Sequence, residues 1–291
     1  MTSKIFTKAL IAFLYLFSLL PYPILYFFSS VFSFFIYHVF HYRRDVVREN
    51  LTNSFPEKSL EEIKSIEKRF YHYLGDLIVE SIKMISVSQA EASKRFVLLN
   101  ADLLRTYFSQ HKSVIAVSGH YANWEMISLM GPLYSEPKLA IYKPLSNKVF
   151  DEFMTKIRSR FGTSIIPMGN VMRKLVEFRK QRIITLLISD QTPSQRDAHY
   201  YTKFLNQNTA IFLGVEKLAK ATGSAVVFCD IQVKKRGFYT CSFIPLIENP
   251  ETTAEFEITE AHVSYLELMI RRAPQYWLWS HRRWKFKQVK E

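Results

Sequence analysis

Between Lys8 and Arg43 the sequence carries no Lys, Arg, Asp or Glu, and this stretch constrains the fold more than any other. Its runs A-L-I-A-F-L-Y-L-F-S-L-L and I-L-Y-F-F-S-S-V-F-S-F-F-I-Y together are long enough to span a bilayer. They exceed the apolar core of a signal peptide and lead to no clear small-residue cleavage site, so a retained membrane anchor is expected. A buried core helix would need a far larger domain to cover so much apolar length. Pro21 and Pro23 divide the stretch, which permits either a kinked span or two short arms dipping into one leaflet. Basic residues flank both ends (Lys4 and Lys8; Arg43, Arg44 and Arg48). That pattern fits a same-side hairpin and decides the orientation of a single span poorly.

Beyond residue 42, the anchor's end, a helical segment over 43–105 is expected to pack on an α/β core over 106–291. Ser59-Leu60-Glu61-Glu62 is a capping-box pattern. Ile63, Phe70, Leu74, Leu77 and Ile78 continue a stripe that predicts one or two helices over 59–84. From residue 113 onward, apolar strand-like runs at 113–118, 138–142, 164–168 and 182–189 alternate with helical patterns, the clearest being the stripe Val149, Phe153, Ile157 and Phe161. A helix is expected at about 210–222, a strand pair at 225–233 and 238–247 around Lys235-Arg236-Gly237, and a closing helix at 254–272. This alternation predicts an α/β layered sheet flanked by helices.

The chemistry concentrates where the first of those strands ends, in Ser118-Gly119-His120-Tyr121-Ala122-Asn123-Trp124-Glu125. Asn123 followed by W-E-M-I-S-L-M reads as a capped helix start, so an imidazole and a carboxylate lie across a strand-to-helix junction, where a sheet presents its chemistry. Five residues along one continuous helix rotate by about 140°, so the two side chains converge only if His120 is in the turn and Glu125 in the first helical turn. Glu125 would then accept a hydrogen bond from one ring nitrogen and leave the other free as a general base. The plainer reading is a satisfied loop histidine beside an acid that favours a helix N-terminus.

Two further charged residues carry a similar pair of readings. Arg160 stands beside Gly162 at the end of the striped helix, where a cation complements the helix dipole; a site role for it comes only with the family resemblance. Asp190 follows the run I-I-T-L-L-I-S and precedes Gln191-Thr192-Pro193, on the same sheet edge as His120. A turn aspartate is common, yet that edge is where a site would form. Three of the four tryptophans (Trp277, Trp279, Trp284) are interleaved with His281, Arg282, Arg283, Lys285 and Lys287, a composition shared by packed cores and membrane-interface surfaces.

A formal net charge of +13 favours anionic partners: nucleic acid, acidic headgroups or an acidic carrier protein. No nucleic-acid-binding signature accompanies it, so an anionic membrane surface is the expected partner and nucleic acid is not. Cys229 and Cys241 form neither a disulfide framework nor a metal motif and are expected as buried thiols in a cytosolic domain. No histidine spacing suggests zinc, no P-loop or other cofactor motif is found, and no G-x-S-x-G elbow supports a serine hydrolase.

The pattern of a histidine, four residues and an acid after an apolar strand resembles the signature of the glycerolipid acyltransferase superfamily. Further blocks, in order, are similar to its lipid A (late) acyltransferase branch: Ile141-Tyr142-Lys143-Pro144, the helix from Asp151 carrying Arg158 and Arg160, Ser189-Asp190-Gln191, and the segment from Ala273 to Lys285. The acid here is glutamate, common in that branch, and Asn206 stands near a point where family members often have glycine. The resemblance implies a membrane-anchored enzyme of the inner membrane, facing the cytoplasm, with the acyltransferase-type layered sheet. It implies an acyl-carrier-protein (or acyl-CoA) donor, a lipid A precursor as acceptor, no cofactor, and no covalent acyl-enzyme. It assigns catalysis to His120 and Glu125, and substrate contacts to Asn123, Tyr142, Lys143, Arg160, Asp190 and Gln191, with Arg160 as a site arginine that polarises the donor carbonyl or binds an acceptor phosphate. Two alternatives remain at this stage: the same chemistry on a lysophospholipid or aminolipid, and a non-catalytic protein that binds lipid surfaces.

Overall fold

The computed structural model describes residues 2–178 and 180–286; Lys287 and the side chain of Lys4 lie outside the described residues. The apolar N-terminal stretch forms two helices, α1 (Thr2–Leu19) and α2 (Tyr22–Phe34), the latter running on through a π-helical turn at Phe35–Val39. Pro21 separates them, because its ring cannot continue a helix and its fixed φ suits a helix start. Then come α3 (Arg44–Ser54) and α4 (Leu60–Lys83). The predicted capping box is present: the Glu62 amide donates to Ser59 Oγ and the Ser59 amide to the Glu62 carboxylate. One unbroken helix therefore accounts for 59–84.

The remaining elements are α5 (Gln89–Arg95), β1 (Phe96–Leu98), α6 (Asp102–Ser109), β2 (Val114–Ser118), β3 (Lys138–Tyr142), α7 (Lys148–Ser159), β4 (Thr163–Pro167), α8 (Val171–Glu177) and β5 (Ile184–Ile188). They continue with β6 (Tyr200–Phe204), β7 (Gln207–Ile211), α9 (Gly214–Thr222), β8 (Ala225–Lys235), β9 (Phe238–Ile247) and α10 (Glu257–Arg272). Seven strands form one sheet in the order β1-β9-β8-β2-β5-β3-β4, with every pairing parallel except β8 with β9. Strands β2 and β5 at its centre are buried on both faces, which is why they read as continuous apolar runs. The predicted α/β layering is the observed one. Cys229 and Cys241 are free and buried on β8 and β9, as expected.

One expected element differs. Residues 124–133 form a 3-10 helix, not an α-helix, and Gly131 and Pro132 stand within it. Asn123 does not cap it; its side chain turns inward and donates to Glu80 Oε2 at 2.7 Å. The β6–β7 hairpin explains the departure at Asn206. Leu205 and Asn206 both have positive φ (50° and 62°), and asparagine tolerates that left-handed region better than most residues.

Candidate active site

Strands β2 and β5 are parallel neighbours in register, Ser118 opposite Ile188, so the turns that follow them emerge side by side at one sheet edge. Gly119 opens the first turn. A Cβ there would lie 2.7 Å from Leu266 Cδ1 and 3.1 Å from Asp190 Oδ2, so glycine is what lets the two turns close on each other. The C-terminal segment clamps the same turn from outside: the Ala122 amide donates to Tyr276 O (2.9 Å), and the Leu278 amide to His120 O (3.1 Å).

Asp190 is the centre of this arrangement. It is buried, and it accepts three hydrogen bonds: His120 N to Oδ2 at 2.8 Å, Trp277 Nε1 to Oδ2 at 2.7 Å, and His120 Nδ1 to Oδ1 at 2.6 Å. Burial alone would raise its pKa. The adjacent His120 charge and the hydrogen bonds from His120 and Trp277 outweigh that and hold it at about 2. An ionised Asp190 fixes the proton on Nδ1, so Nε2 presents its lone pair outward. There it meets the side-chain amide of Gln191 at 3.2 Å, and Trp124 packs edge-on against the ring with centroids 4.9 Å apart.

The structure corrects the expectation that Glu125 orients His120. Glu125 instead receives the guanidinium of Arg158 on α7, Nε to Oε2 at 2.8 Å and Nη2 to Oε1. The tighter 3-10 geometry, three residues per turn, aims Glu125 at α7 rather than back at the imidazole. Arg160 is bonded away from the histidine as well. Its guanidinium donates to the carbonyl of Met84 and to that of Val87 (3.1 Å), closing the C-terminal end of α4. Of the two arginines on that block, Arg158 is the one tied to the turn bearing the histidine.

The other sequence-derived candidates divide. Gln191 is at the ring. Tyr142 donates to Asp151 Oδ2 (2.9 Å), whose other oxygen takes the Leu145 amide (2.8 Å), so the pair shapes the β3–α7 loop on which Lys143 is exposed. Asn123 is fully buried against Glu80. Glu80, missed in the sequence, also accepts from Tyr26 (2.9 Å) and Tyr239 (2.6 Å). Burial raises its pKa to about 6 even against those donors. Its signal was available: Glu67, Asp76 and Glu80 are acids on the buried face of α4. Trp277 was noted only for its composition, yet it is 3% exposed and bonds the central carboxylate. With Trp279 and Arg283 also buried, the Trp-rich segment is largely core rather than a lipid-facing surface.

The family model described as bacterial lipid A biosynthesis acyltransferase matches residues 1–286. The chain belongs to that family. It is similar to the lipid A biosynthesis palmitoleoyltransferase of Escherichia coli (strain K12), at 26% identity over 280 residues, covering 96% of this chain and 90% of the relative. The lipid A biosynthesis acyltransferase of Shigella flexneri matches to the same extent. The lipid A biosynthesis lauroyltransferase of Escherichia coli (strain K12) is 21% identical over 271 residues, 91% of this chain and 87% of the relative. The chain is an acyltransferase, and the resemblance read from its ordered blocks is borne out.

Two outcomes follow from the site's electrostatics. Asp190, with its pKa depressed from 3.8 to about 2, contributes stability that is present above about pH 3.8 and lost as pH falls toward 2. Trp277→Phe keeps the ring and removes one donor to that carboxylate, so it is expected to cost about 1.5–3 kcal/mol and to move acid unfolding to higher pH. Acid titrations of both proteins, followed by circular dichroism, check this. Glu80 has the opposite sign. Its stabilising protonated form is complete below about pH 4.5 and is lost as pH rises through about 6. Glu80→Gln is expected to flatten stability across that window in urea titrations.

Proposed function

We propose that this chain transfers a fatty acyl group from an acyl-carrier-protein thioester to a hydroxyl of a lipid A precursor at the cytoplasmic face of the inner membrane, with His120 as general base. The observation that carries this reading is the 2.6 Å contact that pins His120 Nδ1 to buried, ionised Asp190 and leaves Nε2 outward. Nε2 takes the acceptor's proton as its oxygen attacks the thioester carbonyl carbon. Asp190 stabilises the imidazolium that forms. The carbonyl electrons collapse back, the C–S bond breaks, and the thiolate recovers the proton from Nε2. Arg158, held on the catalytic turn by Glu125, takes the part read for Arg160 as the cation for the oxyanion or an acceptor phosphate. Glu125 is thereby a positioning residue.

A cleft of about 420 Å³ is lined by the apolar Phe32, Ile36, Leu74, Ile78 and Leu278 and by the polar Arg43, His281 and Gln191; Gln191 is also the residue that meets His120 Nε2. Its apolar residues suit a hydrocarbon chain. Through Phe32 and Ile36 the N-terminal helical stretch shares this cleft with Gln191, which supports membrane association of a chain whose 22–39 segment is long and apolar enough to cross a bilayer.

Acyl-carrier-proteins are acidic, and a +13 chain attracts them through a field that salt screens. Acyl-carrier-protein thioesters are therefore expected to outperform acyl-coenzyme A at equal concentration, with a rate that falls steeply as salt rises. Mass spectrometry of the esterified product on a lipid A precursor is the readout. Equal use of both donors without a salt effect would remove the carrier-protein donor. Transfer to lysophospholipids alone would remove the lipid A precursor as acceptor.

A further inference from the structure

We propose that α1 and α2 bind a single leaflet of an anionic membrane, lying in its plane as a V, and do not cross it. The inference rests on the membrane association proposed above and specifies its geometry. Length does not decide the matter: residues 22–39 span about 27 Å as a helix, close to a bilayer's hydrocarbon thickness. The two faces of the helices do.

The inner face of α2, Leu25 apart, is polar and engaged along its length. Tyr26 donates to Glu80 at 2.9 Å, Ser29 to Asp76 at 2.5 Å, and Ser33 to His72 O at 3.4 Å. Arg236, at the tip of the β8–β9 hairpin, pairs with Asp76 and reaches Tyr26 O and Ser30 Oγ, both at 3.2 Å. Gly75 makes the approach possible, since a Cβ there would lie 2.1 Å from Ser33 Oγ. Farther along, Tyr37 packs on Tyr71 with centroids 5.2 Å apart. From Tyr26 to Tyr37 this contact runs about 16 Å. An α2 standing across the bilayer would carry Asp76, Glu80, His72 and Arg236 toward hydrocarbon depth, where ionisable groups are strongly disfavoured.

Helix α1 is held at both ends as well. Asn147 donates to Thr7 Oγ1 (3.1 Å), and Lys83 Nζ donates to the carbonyls of Ser18 (2.8 Å) and Leu20 (2.9 Å). Both helices therefore lie along the domain and present their other side outward. That side is apolar and aromatic: Phe6, Phe13 and Leu16 on α1, Phe27 and Phe28 on α2, and Phe35 beyond it are exposed. Exposed Lys8, Lys234 and Lys235 stand on or beside the V. An outward apolar stripe with cations on its border matches the boundary between acyl chains and anionic headgroups.

The test uses the full chain with different epitope tags at its two termini and, separately, the variant Ile24→Cys, an exposed position beside the Pro21 break. The native Cys229 and Cys241 are buried and do not compete for reagent. Protease digestion of intact spheroplasts and of inverted inner-membrane vesicles is expected to place both tags on the same face as the catalytic domain. Membrane-impermeant maleimide applied to the opposite face is expected to leave the Ile24→Cys variant unlabelled. Tags on opposite faces would overturn the proposal in favour of a single span. Labelling of that variant from the far side would overturn it in favour of a hairpin that crosses. Recovery of the protein in the soluble fraction would instead overturn the membrane association on which it rests.

Discussion

His120→Ala is expected to lower acyl transfer by about 10²–10⁴-fold while the chain stays folded. The loss is large because the variant has no proton acceptor beside Gln191. The fold survives because Asp190 keeps two of its three donors, the backbone amide of residue 120 and Trp277 Nε1. Steady-state transfer with a thermal melt of the same preparation measures both halves of the expectation. A folded His120→Ala protein with near-wild-type transfer would falsify the general-base assignment.

Asp190→Asn is expected to cost about 10⁴-fold in turnover, the size of effect that a wrong imidazole tautomer produces in a His–Asp pair. The reasoning follows the donors. Two N–H groups point at the Oδ2 position, so the carboxamide must place its oxygen there and its NH₂ where Oδ1 stood. That NH₂ faces His120 Nδ1, which must then accept, and the ring proton moves to Nε2. The histidine remains in place but cannot take a proton. Nitrogen chemical shifts of the ring should report the tautomer directly. Glu125→Gln offers the contrast: it loosens Arg158 and leaves the tautomer unchanged, so those shifts should match the parent protein.

Much of this was legible in the sequence, and the misreadings share a cause. The layering could be read because parallel buried strands leave unbroken apolar runs, as in β2 and β5, and helices leave stripes, as in α4 and α7. His120 could be read because it follows such a strand directly. Its partner could not be settled from local spacing. Glu125 is five residues away but sits on a 3-10 turn containing Gly131 and Pro132, and it pairs with α7. Asp190 is seventy residues away and is delivered by strand order, Ser118 beside Ile188. Trp277 arrives from farther still, and its indole N–H serves a carboxylate where composition left both core and lipid surface open. Arg158 and Arg160 are two residues apart on one block, and only three-dimensional packing tells which meets Glu125 and which closes the end of α4.

Glu80 joins two parts of the molecule that otherwise have separate tasks. One of its oxygens takes the hydroxyl of Tyr26, from the arm proposed to rest on the membrane; the other takes Asn123, three residues after the base. Lifting that arm strips a donor from a buried carboxylate and disturbs its hold on the turn carrying His120. On the function and membrane geometry proposed above, leaving the lipid surface would therefore register at His120 itself, so that a molecule detached from lipid would also be the one least able to transfer an acyl group.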